Sequence, residues 1–186
     1  MKIIVYCIVS LCFLTFASCT KTKNDDSKEV AEDQNEEKFK DTAMVDDTEF
    51  ATSAADAGML EVQLGSLAVS KASSPKVKEF AQAMINDHTK ANEELKSLAG
   101  TKNITLPTAL SEKNQKKYDD MTEKSGSEFD KEYCDLMVKD HKDVVDMFKK
   151  AAEKTRDTEL KAWASEKLPA LEHHLGMAET MKESVK

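Results

Sequence analysis

From Phe50 to its end, the chain reads as long segments of helical periodicity with almost no residues that break helices. The whole sequence of 186 residues holds only five glycines and three prolines. In residues 75–99, large or apolar side chains recur at spacings of three and four residues, which places them on one face of an α-helix. They are Phe80, Met84, His88, Ala91 and Leu95. Long helices with such a face must bury it against one another, so the sequence predicts an all-α fold.

Caps and breakers divide this region into four long helices. The first is expected over about 50–72, the second over 75–99, the third over about 128–153 and the fourth from the cap residue 157 to about 182. Ser74-Pro75 is a typical helix start, Gly100 a typical stop, and Pro169 is expected to kink the fourth helix. The connection over 101–126 should hold a short extra helix from Ser111 to about Glu123.

The long connection between the second and third helices lets them run parallel, which is the wiring of ferritin-like bundles. We therefore expect a ferritin-like four-helix bundle over residues 46–186, with the short extra helix in its long connection. The first and second helices should form one antiparallel hairpin, and the third and fourth another.

The first 18 residues have the pattern of a bacterial export signal. A short positive start precedes an apolar run over 3–16, and two small residues precede Cys19. A run of ~14 residues is shorter than the about 20 that a membrane-spanning helix needs. Residues 16–19 resemble the lipoprotein signal, in which the cysteine is acylated and becomes the mature N-terminus. We expect a signal peptide over 1–18 and attachment to the outer membrane through a lipid on Cys19; an ordinary cleaved signal or an uncleaved anchor is the alternative.

Cysteine usage fits this interpretation. Two of the four cysteines lie in the signal, Cys19 is the lipid site, and only Cys134 remains. The mature chain can therefore form no internal disulfide. A lone cysteine in an apolar helix is typically a small core residue.

The segment after Cys19 is strongly acidic. Residues 20–49 contain five lysines and eleven Asp or Glu, a net charge of −6 out of −8 for the whole chain. Such a segment buries too little apolar surface to fold by itself. We expect an acidic disordered tether over 19–45, acting either as a surface-export address or as a plain solvated linker. The acidic balance and the lack of a basic stripe argue against a nucleic-acid partner.

One stretch of the sequence occurs twice. Residues 80–99 match residues 133–152 without a gap, at a constant offset of 53. The match pairs Asp87-His88 with Asp140-His141 and suggests an internal duplication. Each histidine lies on the apolar stripe of its helix. In parallel helices of similar length, the two histidines should lie at the same level.

Glu61 and His174 are further inward-facing candidates. Glu61 lies on a face of small residues in the first helix, near the expected level of His88, where a carboxylate is costly unless it is paired or metal-bound. His174 shares a face with apolar residues, whereas His173 should be exposed. Counting from the helix ends places His174 about five residues, or roughly 7 Å, from the level of His141, a mismatch that a kink could change.

Imidazole with carboxylate suits Zn, Fe, Mn or Cu. The sequence thus predicts a metal site formed by Glu61, His88, His141 and His174, with Asp87 and Asp140 orienting the imidazoles. The alternative is a non-catalytic structural or interaction protein of the envelope, in which each histidine is a hydrogen-bonded core residue. No catalytic residue is predicted, because neither a nucleophile–histidine pair nor a phosphate-binding glycine loop is readable.

Several segments of the chain resemble an uncharacterised bacterial family, domain of unknown function 4142. They are residues 61–68, 77–88, 129–133, 137–141 and 168–175, and they include both Asp-His pairs. The resemblance implies a ferritin-like bundle in a predicted outer membrane protein, and it implies no established activity.

The chain departs from the pattern of di-iron bundles. Those proteins use Glu-x-x-His on two helices. Here the positions three residues before the inward histidines hold Ile85, Val138 and Leu171. An oxygen-activating di-iron centre is therefore disfavoured.

Overall fold

The computed structural model of the protein describes residues 26–185, and this part of the chain forms helices and no strand. The helices are α1 (Ser27–Phe39), α2 (Val45–Lys71), α3 (Pro75–Thr101), α4 (Glu112–Thr122), α5 (Gly126–Lys154) and α6 (Thr158–Ser184). The prediction of an all-α fold is confirmed. Between residues 26 and 185, no helix is long and apolar enough to cross a membrane. The expected signal peptide and Cys19 lie outside the described residues.

The four long helices pack as two hairpins. Short turns join α2 to α3 and α5 to α6, and these two pairs make the most extensive contacts. The hairpins meet through α2 against α5 and α3 against α6. Two core clusters fill the interior, one containing Phe80 and Tyr133 and the other containing Leu95 and Phe148. The first halves of α3 and α5 thus share one cluster and their second halves share the other, so these two helices run parallel.

Each hairpin turn is held by a buried carboxylate from the opposite hairpin. Asp130 of α5 accepts hydrogen bonds from the backbone N–H groups of residues 73–74, at 2.9 and 2.8 Å. Asp47 of α2 accepts from the N–H groups of residues 156–157, at 3.1 and 2.7 Å. These amides stand at the starts of α3 and α6, where a helix supplies no acceptor of its own. The two carboxylates therefore fix the heights of the hairpins relative to one another.

Two helix ends and one cap differ from the sequence expectation. α2 begins at Val45 rather than at Phe50. α3 begins at Pro75 as predicted, but the Ser74 side chain makes no capping bond, because Asp130 takes that role. α3 continues through Gly100, and the chain reverses at Asn103, whose φ is 56°; asparagine tolerates this left-handed conformation better than most residues do.

The expected disordered tether over 19–45 is wrong for residues 27–39, which form α1 and pack against α2. Asp26 caps the helix by accepting from the N–H groups of residues 28 and 29. Ala31 and Asn35 are buried. The Asn35 amide donates to the Thr105 carbonyl at 2.8 Å and accepts from the Thr105 N–H at 2.7 Å. Composition missed this helix because it docks through hydrogen bonds more than through apolar burial.

Asn35→Ala should destabilise the protein by about 1–2 kcal/mol, because both backbone groups of Thr105 lose their partners. Urea unfolding followed by circular dichroism measures the change. Gln34→Ala alters the exposed neighbour and should stay within about 0.5 kcal/mol of wild type. Equal stabilities for the two variants would contradict the docking of α1.

Candidate metal centre

Three histidines from three helices meet between the two core clusters. His88 of α3, His141 of α5 and His174 of α6 are 7%, 1% and 3% exposed. Their ring centroids are separated by 5.7 Å (His88–His141), 5.4 Å (His88–His174) and 5.7 Å (His141–His174). One ring nitrogen from each lies within 4.8 Å of the other two. The structure thus brings together three of the four residues predicted to bind metal.

In each of the three rings, one buried nitrogen has no hydrogen-bond partner. These atoms are His88 Nε2, His141 Nε2 and His174 Nδ1. The opposite nitrogens of two rings are engaged: His141 Nδ1 donates to the Met137 carbonyl at 3.0 Å, and His174 Nε2 bonds the Asp87 carboxylate at 2.9 Å. A proton on each engaged nitrogen leaves a lone pair on the unpartnered one. Metal-binding histidines are typically held in this way.

Burial keeps the imidazoles neutral. Desolvation, with the neighbouring histidines adding to it, lowers the pKa of His88 from 6.5 to about 3. Desolvation and His174 lower the pKa of His141 to about 4, against an opposing effect of the Met137 carbonyl. Desolvation also lowers the pKa of His174, although Asp87 opposes it. All three rings therefore present lone pairs at neutral pH, and the group can accept a cation.

Glu61 is buried beside this group but outside it. Its side chain is 2% exposed, Oε1 lies 3.8 Å from His141 Nδ1, and Oε2 has no hydrogen-bond partner. Desolvation, reinforced by Asp140, raises the pKa of Glu61 to about 8, while Lys117 acts in the opposite direction. The carboxyl group faces the outer nitrogen of His141, which already donates to a carbonyl. The structure therefore separates Glu61 from the three unpartnered nitrogens, whereas the sequence grouped all four residues as ligands.

The two aspartates of the repeated motif have different partners. Asp87 bonds His174 of α6, so it orients an imidazole of another helix. Asp140 instead forms an ion pair with Lys117 of α4, at 2.8 Å. The expectation that Asp140 orients a histidine is wrong, because the short helix α4 places a lysine over it. Nothing in the sequence spacing indicated that contact.

The expected height mismatch of His174 is absent, since its ring lies level with the other two. Counting from helix ends failed because it assumed that α6 begins at the height at which α5 ends. His173 is exposed, as expected. Cys134 is fully buried in the first core cluster, and desolvation raises its thiol pKa to about 12. It is therefore a core residue and not a reactive thiol.

A cavity of about 60 Å³ adjoins the three histidines. Trp163, Asn92 and Gly58 are among the residues that line it. A Cβ atom at Gly58 would lie 1.9 Å from Asn92 Oδ1, so glycine is required for Asn92 to occupy this wall. The sequence analysis placed Gly58 on the inward face of small residues that carries Glu61 but missed Asn92, although a glycine in the middle of a long helix signals a close approach.

The opposing pKa shifts predict a maximum in the stability of the metal-free protein between about pH 6.5 and 7. Below pH 6.5, histidines of the unfolded chain bind protons, whereas the buried rings of the folded protein stay neutral. The free energy of unfolding therefore falls as the pH is lowered, by up to about 1.4 kcal/mol per pH unit for each ring. Between pH 4.5 and 8, folded Glu61 keeps a proton that the unfolded chain releases, so stability falls as pH rises. The three rings outweigh Glu61 below this maximum, and Glu61 outweighs the rings above about pH 7.

Urea unfolding in chelator between pH 4.5 and 8.5 measures this profile. Glu61→Gln should remove the decline between pH 6.5 and 8, because glutamine needs no proton to stay neutral. Glu93→Gln, an exposed change on α3, should leave the decline in place. A wild-type stability that rises steadily from pH 6.5 to 8 would contradict a protonated Glu61.

A protein-family comparison matches residues 28–181 to Domain of unknown function (DUF4142). No curated protein and no solved structure matches the chain. The matched range begins inside α1 and ends inside α6, so it spans the whole helical body, including the three histidines and Glu61. The chain belongs to the family of domain of unknown function DUF4142.

Proposed function

We propose that this protein is a lipid-anchored envelope protein whose helical body binds one transition-metal ion through His88, His141 and His174. The observation that carries the proposal is the set of three unpartnered ring nitrogens at one buried point. A buried polar atom without a partner costs about 1–3 kcal/mol. Three such atoms, in rings that come within 4.8 Å of one another, have a common explanation in a bound cation.

The donor set indicates which ions fit. Neutral imidazole suits Zn, Cu, Fe and Ni, whereas Mn prefers oxygen ligands. With Glu61 outside the nitrogen group, Mn becomes the weakest of the four metals expected from the sequence. Nitrogens around a tetrahedral zinc ion lie about 3.3 Å apart. Ring movements of about 1 Å would bring nitrogens separated by up to 4.8 Å to that spacing.

Three protein ligands leave a tetrahedral ion with one open position. The adjoining cavity of about 60 Å³ has room for one or two waters there. The site therefore suits an exchangeable ion with a bound water better than a closed structural zinc site.

The wiring of the helices supports a ferritin-like four-helix bundle. α2 and α3 form one hairpin, α5 and α6 form the other, and the connection that holds α4 lets α3 and α5 run parallel. Ferritin-like bundles have this arrangement and place metal ligands in the core. The three-histidine group differs from their paired carboxylates, so the proposal is a single-ion site.

The signal pattern of the sequence supports attachment of the helical body close to a membrane. We propose that this membrane is the bacterial outer membrane. If a lipid is attached to Cys19, only eight peptide units separate it from Ser27, where α1 begins. Those units span at most about 28 Å. The metal site would then lie near the bilayer, on a much shorter connection than the tether expected over 19–45.

Purified protein should bind one Zn²⁺ or Co²⁺ per chain, and binding should change the fluorescence of Trp163, which is the only tryptophan of the chain and lines the site. At a free metal concentration of 100 times Kd, the folded state gains about 2.7 kcal/mol, which raises the melting temperature. Elemental analysis of the native protein identifies the resident ion.

His174→Ala and His141→Ala should abolish both responses. His173→Ala is the matched control, because it makes the same change at the adjacent exposed position of α6, and it should bind like wild type. A metal response that is equal in wild type, His141→Ala and His174→Ala would support the alternative of a structural or interaction protein with core histidines.

Cys19→Ser should move the protein from the membrane fraction to the soluble fraction of the cell envelope and abolish labelling by radioactive palmitate. Cys134→Ser is the control for loss of a thiol and should retain the label. Labelled protein in the Cys19→Ser cells would rule out this cysteine as the lipid site.

A further inference from the structure

A second and larger cavity lies on the other side of Glu61. Its volume is about 430 Å³, and residues of α1, α2, α4 and α5 line it. Seven of the lining side chains are carboxyl groups and three are lysines. Two of those lysines are paired within the cavity, Lys28 with Glu32 and Lys117 with Asp140. The excess of acidic groups gives the cavity a potential that attracts cations.

Glu61 stands in the wall between the two cavities. It lines both of them, and the other residues common to both are Ala57 and Val144. The partition is therefore one carboxyl group between two apolar side chains, one of them small. Oε2 of Glu61 is buried without a hydrogen-bond partner, so a cation in this wall would supply a missing contact.

We propose that the cavity between α1 and α4 is the entry site for a hydrated divalent cation, and that Glu61 passes the ion to the three histidines. The carboxyl proton of Glu61 moves to water in this cavity as its oxygen binds the ion. The inference rests on the proposed metal site and adds its route of access. An incoming ion keeps part of its water shell while carboxylate oxygens replace the rest. The three imidazole nitrogens then replace the carboxylate oxygen and all but one of the waters, and the displaced water leaves through the cavity.

Glu61 suits this step better than its acidic neighbours. Asp140 is held by both contacts to Lys117 Nζ, at 2.9 and 2.8 Å. Asp56 accepts from the Ser111 N–H and hydroxyl and from the Asn114 amide. Of the carboxyl groups that line this cavity, Glu61 also lines the histidine cavity. Its Oε1 lies 3.8 Å from Nδ1 of the His141 ring.

A residue on the route must affect entry and exit alike. Glu61→Gln should therefore lower the association and dissociation rates of Co²⁺ by the same factor, roughly tenfold, and leave Kd unchanged. Stopped-flow mixing of the purified chain with Co²⁺, followed by Trp163 fluorescence, gives association. Mixing the loaded chain with excess chelator gives dissociation. Glutamine has the shape of the protonated carboxyl group, so the fold should survive, and the melting temperature of the metal-free variant checks this.

The exposed acidic residues of this cavity allow a second experiment with a matched pair of variants. Asp143 is exposed and lines the cavity, whereas Asp146 is exposed on the same helix and does not. Asp143→Asn should slow association at low salt, and the effect should disappear near 1 M salt, where the screening length is about 3 Å. Asp146→Asn carries the same change of charge and should slow association less at every salt concentration.

The outcomes separate the two proposals. Wild-type protein that binds neither Co²⁺ nor Zn²⁺ overturns the metal site and the entry route together. Normal rates in Glu61→Gln, with binding still lost in His174→Ala, overturn the route alone. A Kd that rises through faster dissociation also overturns the route, because it makes Glu61 a ligand. Equal slowing of both rates at constant Kd supports the route.

Discussion

Two buried carboxylates, Asp47 and Asp130, set the geometry on which the rest of the structure depends. Each accepts hydrogen bonds from backbone N–H groups in the turn of the opposite hairpin. Buried amides at a helix start need an acceptor, so a sliding of one hairpin along the other would leave several groups unpaired. The number of residues between Asp47 and Asp130 equals the number between Ser74 and Asp157. Corresponding residues of the two hairpins therefore make corresponding contacts with the opposite hairpin.

This fixed height is what brings the histidines together. His88 and His141 come from parallel helices of different hairpins, and His174 comes from a helix antiparallel to His141. A shift of one helical turn, about 5.4 Å, would move any of these rings out of reach of the others. The meeting of the three histidines therefore depends on the hairpin contacts as much as on the histidines themselves.

The three histidines and Glu61 lie in buried surroundings that favour uncharged groups. Desolvation lowers the pKa values of the histidines and raises that of Glu61, so the metal-free interior avoids unpaired charge. Unpartnered nitrogens and a protonated carboxyl group still cost free energy there. Natural cores rarely retain several such groups at one point without a reason. Their presence between two apolar clusters fits a site that is completed by a ligand.

The sequence by itself determined the all-α class, the turn within each hairpin and the capping role of Asp157. It also determined the inward direction of His88, His141 and His174, because helical periodicity and cap chemistry are local properties. Only the tertiary structure decided that His174 is level with the other two rings and that Glu61 lies beside the three histidines. It also decided that Lys117 forms an ion pair with Asp140. It also decided that residues 27–39 form a helix, since Asn35 needs the backbone of Thr105, far away in the chain. These outcomes depend on helix heights and on hydrogen bonds between distant segments, which spacing within one helix does not encode.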